Sequence, residues 1–449
     1  MTDVNALERI LRSDEDVPPE RAAELSAMLD QPPIRDVVRL VERSTATRAA
    51  VVLRLLSRRR SIQVFDALDA AHQADLIDAL GDRAVYEFFA ELDPDDRVSL
   101  LDELPAEIAE RFMRTLDDSE RDITGVVLGY PRGSIGRRMS PEVPHIYEDM
   151  SVDETLEKLR LVADDVETIY TLPIISRDRL LVGVTSLRKL FTAEGSAGVA
   201  ELMDEPVFAG AHDDAEETAR WFLPLDILAM PIIDESGRLV GMLTFDDAVD
   251  IVEEADSEDA ARSGAHEPLQ QPYLSTSLFR VVRSRIVWLL VLAVSALLTV
   301  QVLGAFEDTL AAAVVLSLFI PLLTGTGGNT GNQAATTVTR ALALGDVRPR
   351  DVLSVAWREL RVGMLLGALL GAIGFILASL VFGLDIGIVI GSTLFLVCTM
   401  SATVGGVMPI IAKKVGADPA VFSNPFISTL SDATGLVVYF LIAKSVMGL

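Results

Sequence analysis

Cysteine is almost absent from this chain of 449 residues. The one copy, Cys398, lies inside an apolar run, which excludes a disulfide framework and a cysteine-built metal site. Histidine is nearly as scarce: His72, His145, His212 and His266 are scattered without metal-ligand spacing. Basic side chains are also few where acids are many. Before residue 271 there are 58 Asp and Glu against 28 Lys and Arg; after it there are 8 against 11. So acidic a half does not seek nucleic acid phosphates or anionic lipid, and its natural small partners are cations. No apolar run opens the chain, so no cleaved signal peptide is expected. Metalloprotease, nucleophile-elbow and P-loop motifs are missing too, and the chain is not expected to be an enzyme.

What the chain does have is apolar length. Five segments, 286–304, 310–343 (broken at Pro321 and the glycines that follow), 362–382, 386–412 and 426–446, reach or approach the 20 or so residues that a membrane span needs. Arg280, Arg283 and Arg285 precede the first. Arg348, Arg350, Arg358 and Arg361 fall between the second and third, and Lys413 and Lys414 between the fourth and fifth. The excess of basic residues on cytoplasmic loops then predicts a multi-pass protein of the cell membrane, with the acidic half and the N-terminus inside and the C-terminus outside. Gly363, Gly367, Gly371 and Gly374 recur along one span and predict close helix packing.

The last segment carries an acid, Asp432, in the stretch Asn424-Pro425-Phe426-Ile427-Ser428-Thr429-Leu430-Ser431-Asp432-Ala433-Thr434-Gly435. An ionisable group at that depth is costly and normally faces a bundle interior or a watery path. The run Gly325-Thr326-Gly327-Gly328-Asn329-Thr330-Gly331-Asn332-Gln333 in an earlier segment supplies small and amide residues for such a lining. Mg²⁺ keeps most of its water and takes one or two carboxylates. Asp432, with the neutral oxygens of Asn332, Thr336 and Asn424 and the bare backbone at Gly328, suits it.

The acidic half holds two repeats. Leu68-Asp69, Leu92-Asp93 and Leu116-Asp117 recur every 24 residues, the mark of helical hairpins stacked as an α-solenoid or packed as a plain bundle. Further on, Pro173-Ile174-Ile175 and Leu181-Val182-Gly183 are echoed 58 residues later by Pro231-Ile232-Ile233 and Leu239-Val240-Gly241. Each copy predicts two short strands about a polar turn, then a helix. From Asp246 no Pro or Gly interrupts the chain until Gly264, which predicts a long acidic helix with Asp247, Asp250 and Glu254 on one face. Like charges so placed repel unless cations sit between them.

The paired repeat resembles a tandem of CBS domains, modules that often bind adenosine nucleotides. In that family an Asp three residues beyond a Ser or Thr holds the ribose. Thr244 and Asp247 fit this pattern, whereas Ser186 is followed by Lys189. ATP with Tyr170 and Arg188 at the first copy is what the resemblance implies. With Asp418-Pro419-Ala420, Ser423-Asn424-Pro425 and Thr429-Leu430-Ser431-Asp432-Ala433-Thr434-Gly435, the whole chain resembles the MgtE family of magnesium channels. The expected fold is multidomain: an α-helical, α-solenoid-like N domain (1–130), two CBS domains (131–200 and 201–252), a connecting plug helix (246–270) and a transmembrane pore domain of five helices (271–449).

The resemblance implies a lipid-embedded homodimer whose pore carries Mg²⁺ and is closed by cytosolic Mg²⁺. Asp432 would bind the pore ion, lined by Asn332, Thr336 and Asn424. Asp95, Glu216, Asp226, Asp247, Asp250, Glu258, Asp259 and Asp418 would be sensor or gate ligands. Ala255 stands where the family has an acid, beside Glu254. Two other readings stay open: a secondary transporter of Mg²⁺, Co²⁺ or Mn²⁺, and a nucleotide-sensing membrane signal protein.

Overall fold

The computed structural model describes residues 25–26, 28–29, 31–80, 82–269, 276, 278–416 and 424–448. It divides into two compact units, Met1–Ala255 with Gln270–Thr276 and Asp256–Leu269 with Ser277–Leu449.

The first unit opens with helices α1 (Ile34–Glu42), α2 (Ala46–Leu55), α3 (Arg58–Asp66), α4 (Ala70–Leu80), α5 (Asp82–Glu91), α6 (Pro94–Glu103), α7 (Ala106–Met113) and α8 (Asp118–Leu128). Helices α2, α4, α6 and α8 begin 24 residues apart, and the reason is local. Asp69 accepts the backbone N–H of His72, and Asp117 accepts that of Glu120. Asp93 stands just before Pro94, whose fixed φ suits a first helical turn. Leu68, Leu92 and Leu116 precede these acids and are buried in one core with Phe65, Phe89 and Phe112. Phe89 meets Phe112 edge-on at 5.0 Å.

Two three-stranded sheets follow. The first is β1 (Ile146–Tyr147), β2 (Thr171–Ile175) and β3 (Leu181–Ser186), with α9 (Val152–Val162) after β1 and α10 (Leu187–Thr192) after β3. The second is β4 (Ala209–Gly210), β5 (Ala229–Ile233) and β6 (Leu239–Thr244), with α11 (Ala215–Phe222) after β4 and α12 (Phe245–Ser263) after β6. The repeat extends to register: Pro173 faces Val184 and Pro231 faces Met242, and the ladder slips at Ile174/Ile175 and again at Ile232/Ile233. Reciprocal hydrogen bonds, Leu181 N–H to Gly237 and Leu239 N–H to Arg179, both 3.0 Å, join the copies. Strands β1 and β4 lie outside the 58-residue echo and complete the β-α-β-β-α order that the resemblance to CBS domains implies for each copy. At two residues each they are too short to carry an alternating pattern.

The second unit holds α13 (Leu278–Ala305), α14 (Glu307–Ala312), a 3₁₀ turn (Val314–Phe319), α15 (Ile320–Ala343), α16 (Val352–Phe382), α17 (Leu384–Lys414) and α18 (Asn424–Met447). Among the described residues, four helices are long and apolar enough to cross a membrane: those at Leu278–Ala305, Pro349–Phe382, Leu384–Lys414 and Phe426–Met447. Helix α15 has 24 residues, but glycine, threonine and asparagine dilute its apolar content.

The expected break within 310–343 needs correcting. Pro321 sits in the first turn of α15, the irregular chain precedes Ile320, and Gly325, Gly327, Gly328 and Gly331 lie within one continuous helix. Proline costs nothing there because that N–H has no helical acceptor. Gly327, Gly328 and Gly331 pack instead of bending. A Cβ on Gly331 would lie 2.6 Å from Ile427, and one on Gly405 of α17 would run into the Gly331 carbonyl. The glycines of α16 work in the same way. A Cβ would come within 2.8 Å of Thr399 at Gly363, 2.6 Å of the Phe395 carbonyl at Gly367 and 2.7 Å of the Gly391 carbonyl at Gly371.

Candidate ion pathway and acidic cluster

In the second unit the site is made by two helices. On α15, Gly328, Asn332 and Thr336 are spaced by four residues; on α18, Asn424, Ser428 and Asp432 are too. Residues four apart share a helix face, so each helix presents one polar stripe. The stripes meet where the Asn332 amide donates to Ser428 Oγ at 3.0 Å. The missing side chain at Gly328 lets the helices close there, since a Cβ would lie 3.2 Å from Ser428 Oγ. Asn332 Oδ1 is buried and, among the described residues, has no hydrogen-bond partner. Next to this seam, Ser401 of α17 donates to Ser431 at 3.1 Å.

Asp432 lies well inside α18 and caps no helix end. It is half-buried, and among the described residues no Lys, Arg or His forms an ion pair with it. Thr336 is exposed on α15. The side chain of Asn424 lies outside the described residues, as does Asp418. Ser428 was not singled out in the sequence, although its spacing of four from both Asn424 and Asp432 sets it apart from Ser423 and Ser431.

In the first unit, a second set of acids gathers between the helical hairpins and the CBS copies. Asp95 is buried, and its Oδ1 meets no donor among the described residues. Burial, then the charges of Asp247, Asp96 and Glu167, hold its carboxyl well above the usual carboxylate range. Burial first, with Asp66 and Asp247 next, pushes Asp96 up to about 7. Glu167 is likewise pushed up to about 7 by burial and the charges of Asp247 and Asp93, although a hydrogen bond from Ser140 pulls the other way. Asp247 is raised by burial against the opposing hydrogen bond from Thr244. Each carboxylate thus makes its neighbours harder to ionise. Among the described residues, no three Asp, Glu, His or Cys side chains converge into a ready-made metal group.

The other acids expected as ligands are placed elsewhere. Asp250 is exposed on α12, and Glu254 on that helix is bound by Arg138. Glu216 is held at 2.8 Å by Arg220 and Glu258 at 2.9 Å by Arg262. Asp226 is exposed in a left-handed turn with φ 57°, and Asp259 lies further along α12. At the first CBS copy, Tyr170 and Arg188 are exposed, while Lys189 is taken up by Asp204 at 2.6 Å. At the second, Thr244 and Asp247 bond to each other.

Basic residues of the linker before β1 tie the hairpins to the CBS copies. Asp102 of α6 accepts two hydrogen bonds from Arg137, at 3.0 and 2.7 Å, and pairs with Arg132 at 3.0 Å. Arg138 donates to Ser99 at 3.2 Å while also holding Glu254.

Comparison with known proteins agrees with this layout. Residues 320–442 match a family described as a divalent cation transporter, residues 32–133 the MgtE intracellular N domain, and residues 199–254 a CBS domain. The magnesium transporter MgtE of Thermus thermophilus is 37% identical over 333 residues, 73% of this chain and 73% of that protein. Its namesake in Bacillus subtilis is 32% identical, covering 74% of this chain and 73% of that one. A crystal structure of the cytosolic domain of the Mg²⁺ channel MgtE in complex with ATP matches with a TM-score of 0.50 and 31% identity, over 55% of this chain and 99% of that one. The chain belongs to the MgtE family of magnesium transporters.

Proposed function

We propose that the protein is a Mg²⁺-selective channel that takes magnesium up across the cell membrane and closes when cytosolic Mg²⁺ binds its acidic domains. The observation that carries this is Asp432: a carboxylate deep in an apolar helix, without an ion pair among the described residues, on the stripe whose Ser428 meets Gly328 and Asn332. In this reading α15 is a fifth span, the chain works as a homodimer, and its N-terminus and CBS pair face the cytoplasm. Two copies of Asp432 then meet a hydrated Mg²⁺ on the two-fold axis, and oxygens of Asn332, Thr336 and Asn424 hold its water shell. The buried, partnerless Oδ1 of Asn332 supports a lining that wants water or a hydrated ion.

Gating follows from charge. Without Mg²⁺, the acids around Asp95, Asp96, Glu167 and Asp247 repel and the domains part. Oxygen ligands of this kind suit Mg²⁺, and bridging ions favour the compact arrangement that exposes fewer unpaired charges. Asp250, Glu216, Asp226, Glu258, Asp259 and Asp418 belong to the same sensor set, and the connecting helix within 246–270 acts as the plug. Several ions must act together, because moving the balance from 1:99 to 99:1 takes about 5.5 kcal/mol. ATP at the first CBS copy, stacked on Tyr170 with its phosphates on Arg188, is part of the proposal, supported by the ATP in the similar cytosolic domain.

The deciding measurement is Mg²⁺ flux into proteoliposomes with Mg²⁺ varied on the cytoplasmic side. Uptake is expected to fall as that Mg²⁺ rises, and Asp432→Ala is expected to abolish uptake while the dimer still forms. Retained uptake in that variant would remove Asp432 from the role.

A further inference from the structure

We propose that Arg340 is a permeation residue of this pathway: its guanidinium sets the charge at the inner mouth, and Asp256 masks it. The inference rests on the pathway reading above. Arg340 continues the stripe of Gly328, Asn332 and Thr336 at the same spacing of four and is its one charged member. It stands in the last turn of α15, about 12 Å along the helix axis from Asn332 at 1.5 Å per residue. A fixed cation on a pore line is a barrier to passing cations. Asp256 of α12, in the same unit, lies 3.9 Å from Arg340 Nη1, with the two side chains 49% and 59% exposed.

The bland role for such an arginine is to complete the helix C-terminus, where a positive charge meets the partial negative charge of the last carbonyls. That role needs no acid from another helix. A loose, half-exposed pair is instead a screened charge that the solvent still feels. A divalent ion about 10 Å from one unmasked guanidinium would be depleted roughly two- to fourfold in weakly screened water. Depletion at the inner mouth hinders cations leaving the cell more than those entering, so the charge that Asp256 leaves unscreened makes the wild-type channel favour inward current, and removing Asp256 strengthens that preference.

Unitary currents of the full-length protein in planar bilayers, with equal Mg²⁺ on both sides, test this through the ratio of outward to inward current at matched voltages. Arg340→Gln is expected to raise the ratio about two- to fourfold, Arg340→Lys to leave it near wild type, and Asp256→Asn to lower it. An unchanged ratio in both Arg340→Gln and Asp256→Asn overturns the proposal, as a merely structural arginine would change protein yield and not rectification. If Arg340→Gln does not fold, Asp256→Asn alone decides, since unmasking must lower the ratio. The pathway reading fails separately, on uptake retained by Asp432→Ala, and a wild type without Mg²⁺ current overturns both.

Discussion

Asp95 opens α6 as one of the first-turn acids after Pro94, a placement readable from Asp93-Pro94-Asp95-Asp96. Its burial was not readable, because Asp247 and Glu167 reach it from 152 and 72 residues away. Replacing it by Asn removes a charge that burial and three acids oppose. Asp95→Asn should therefore raise the melting temperature in EDTA, by the equivalent of about 1 kcal/mol, and shrink the further rise on adding Mg²⁺; a lower melting temperature in EDTA would contradict this. Protons should act in the same direction. A carboxyl whose folded pKa is raised binds more protons when folded, so the fold gains stability as pH falls from about 7, the value for Asp96 and Glu167, towards the ordinary carboxylate range near 4. In EDTA, thermal melts should show the cytoplasmic domains more stable at pH 5.5 than at pH 7.5, and millimolar Mg²⁺ should flatten that slope. Stability that rises with pH across this window would refute the account.

At the level of elements, sequence periods were informative wherever one face repeats. The 24-residue period places the starts of α4, α6 and α8, and the 58-residue period places β2, β3, β5 and β6. Where a choice depends on a partner helix, propensity misleads. Glycine weakens an isolated helix, yet α15 runs unbroken through four of them, and α17 and α18 approach at three, Gly327, Gly328 and Gly331. Gly367→Leu should thus abolish folded protein in detergent, because its Cβ would already sit 2.6 Å from the Phe395 carbonyl. Gly325→Ala should fold normally, since nothing lies within 4 Å of the added methyl; gel filtration and melting curves separate the two. The stripe on α15 was legible from spacing, but the Asn332–Ser428 bond that pairs it with α18 spans 96 residues and left no local signal.

For the whole molecule, the arginines before β1 hold the helical hairpins to the CBS copies without metal. Arg137 is buried and spends its guanidinium on Asp102 and on the Leu128 and Tyr130 carbonyls. Removing the acid strands a buried cation. Asp102→Ala should cost roughly 2–4 kcal/mol and make the junction at residues 129–133 cleavable by protease even with Mg²⁺ present. In the wild type, Mg²⁺ should slow that cleavage, and equal rates with and without the ion would count against charge-governed closure. Composition alone separated an acidic half from an apolar half, yet it could not place the division inside a helix. Within α12, residues up to Ala255 belong to one unit and those from Asp256 to the other, and no Gly or Pro interrupts it between Phe245 and Ser263.

That undivided helix has a torsional consequence. Asp247 and Asp256, nine residues apart on it, are locked in azimuth, so one residue inserted between them would rotate one relative to the other by about 100°. Seven inserted residues, close to two full turns, would restore the phase while lengthening the rod by about 10 Å. A channel that tolerates seven and not one reads rotation along its axis; one that tolerates neither reads length.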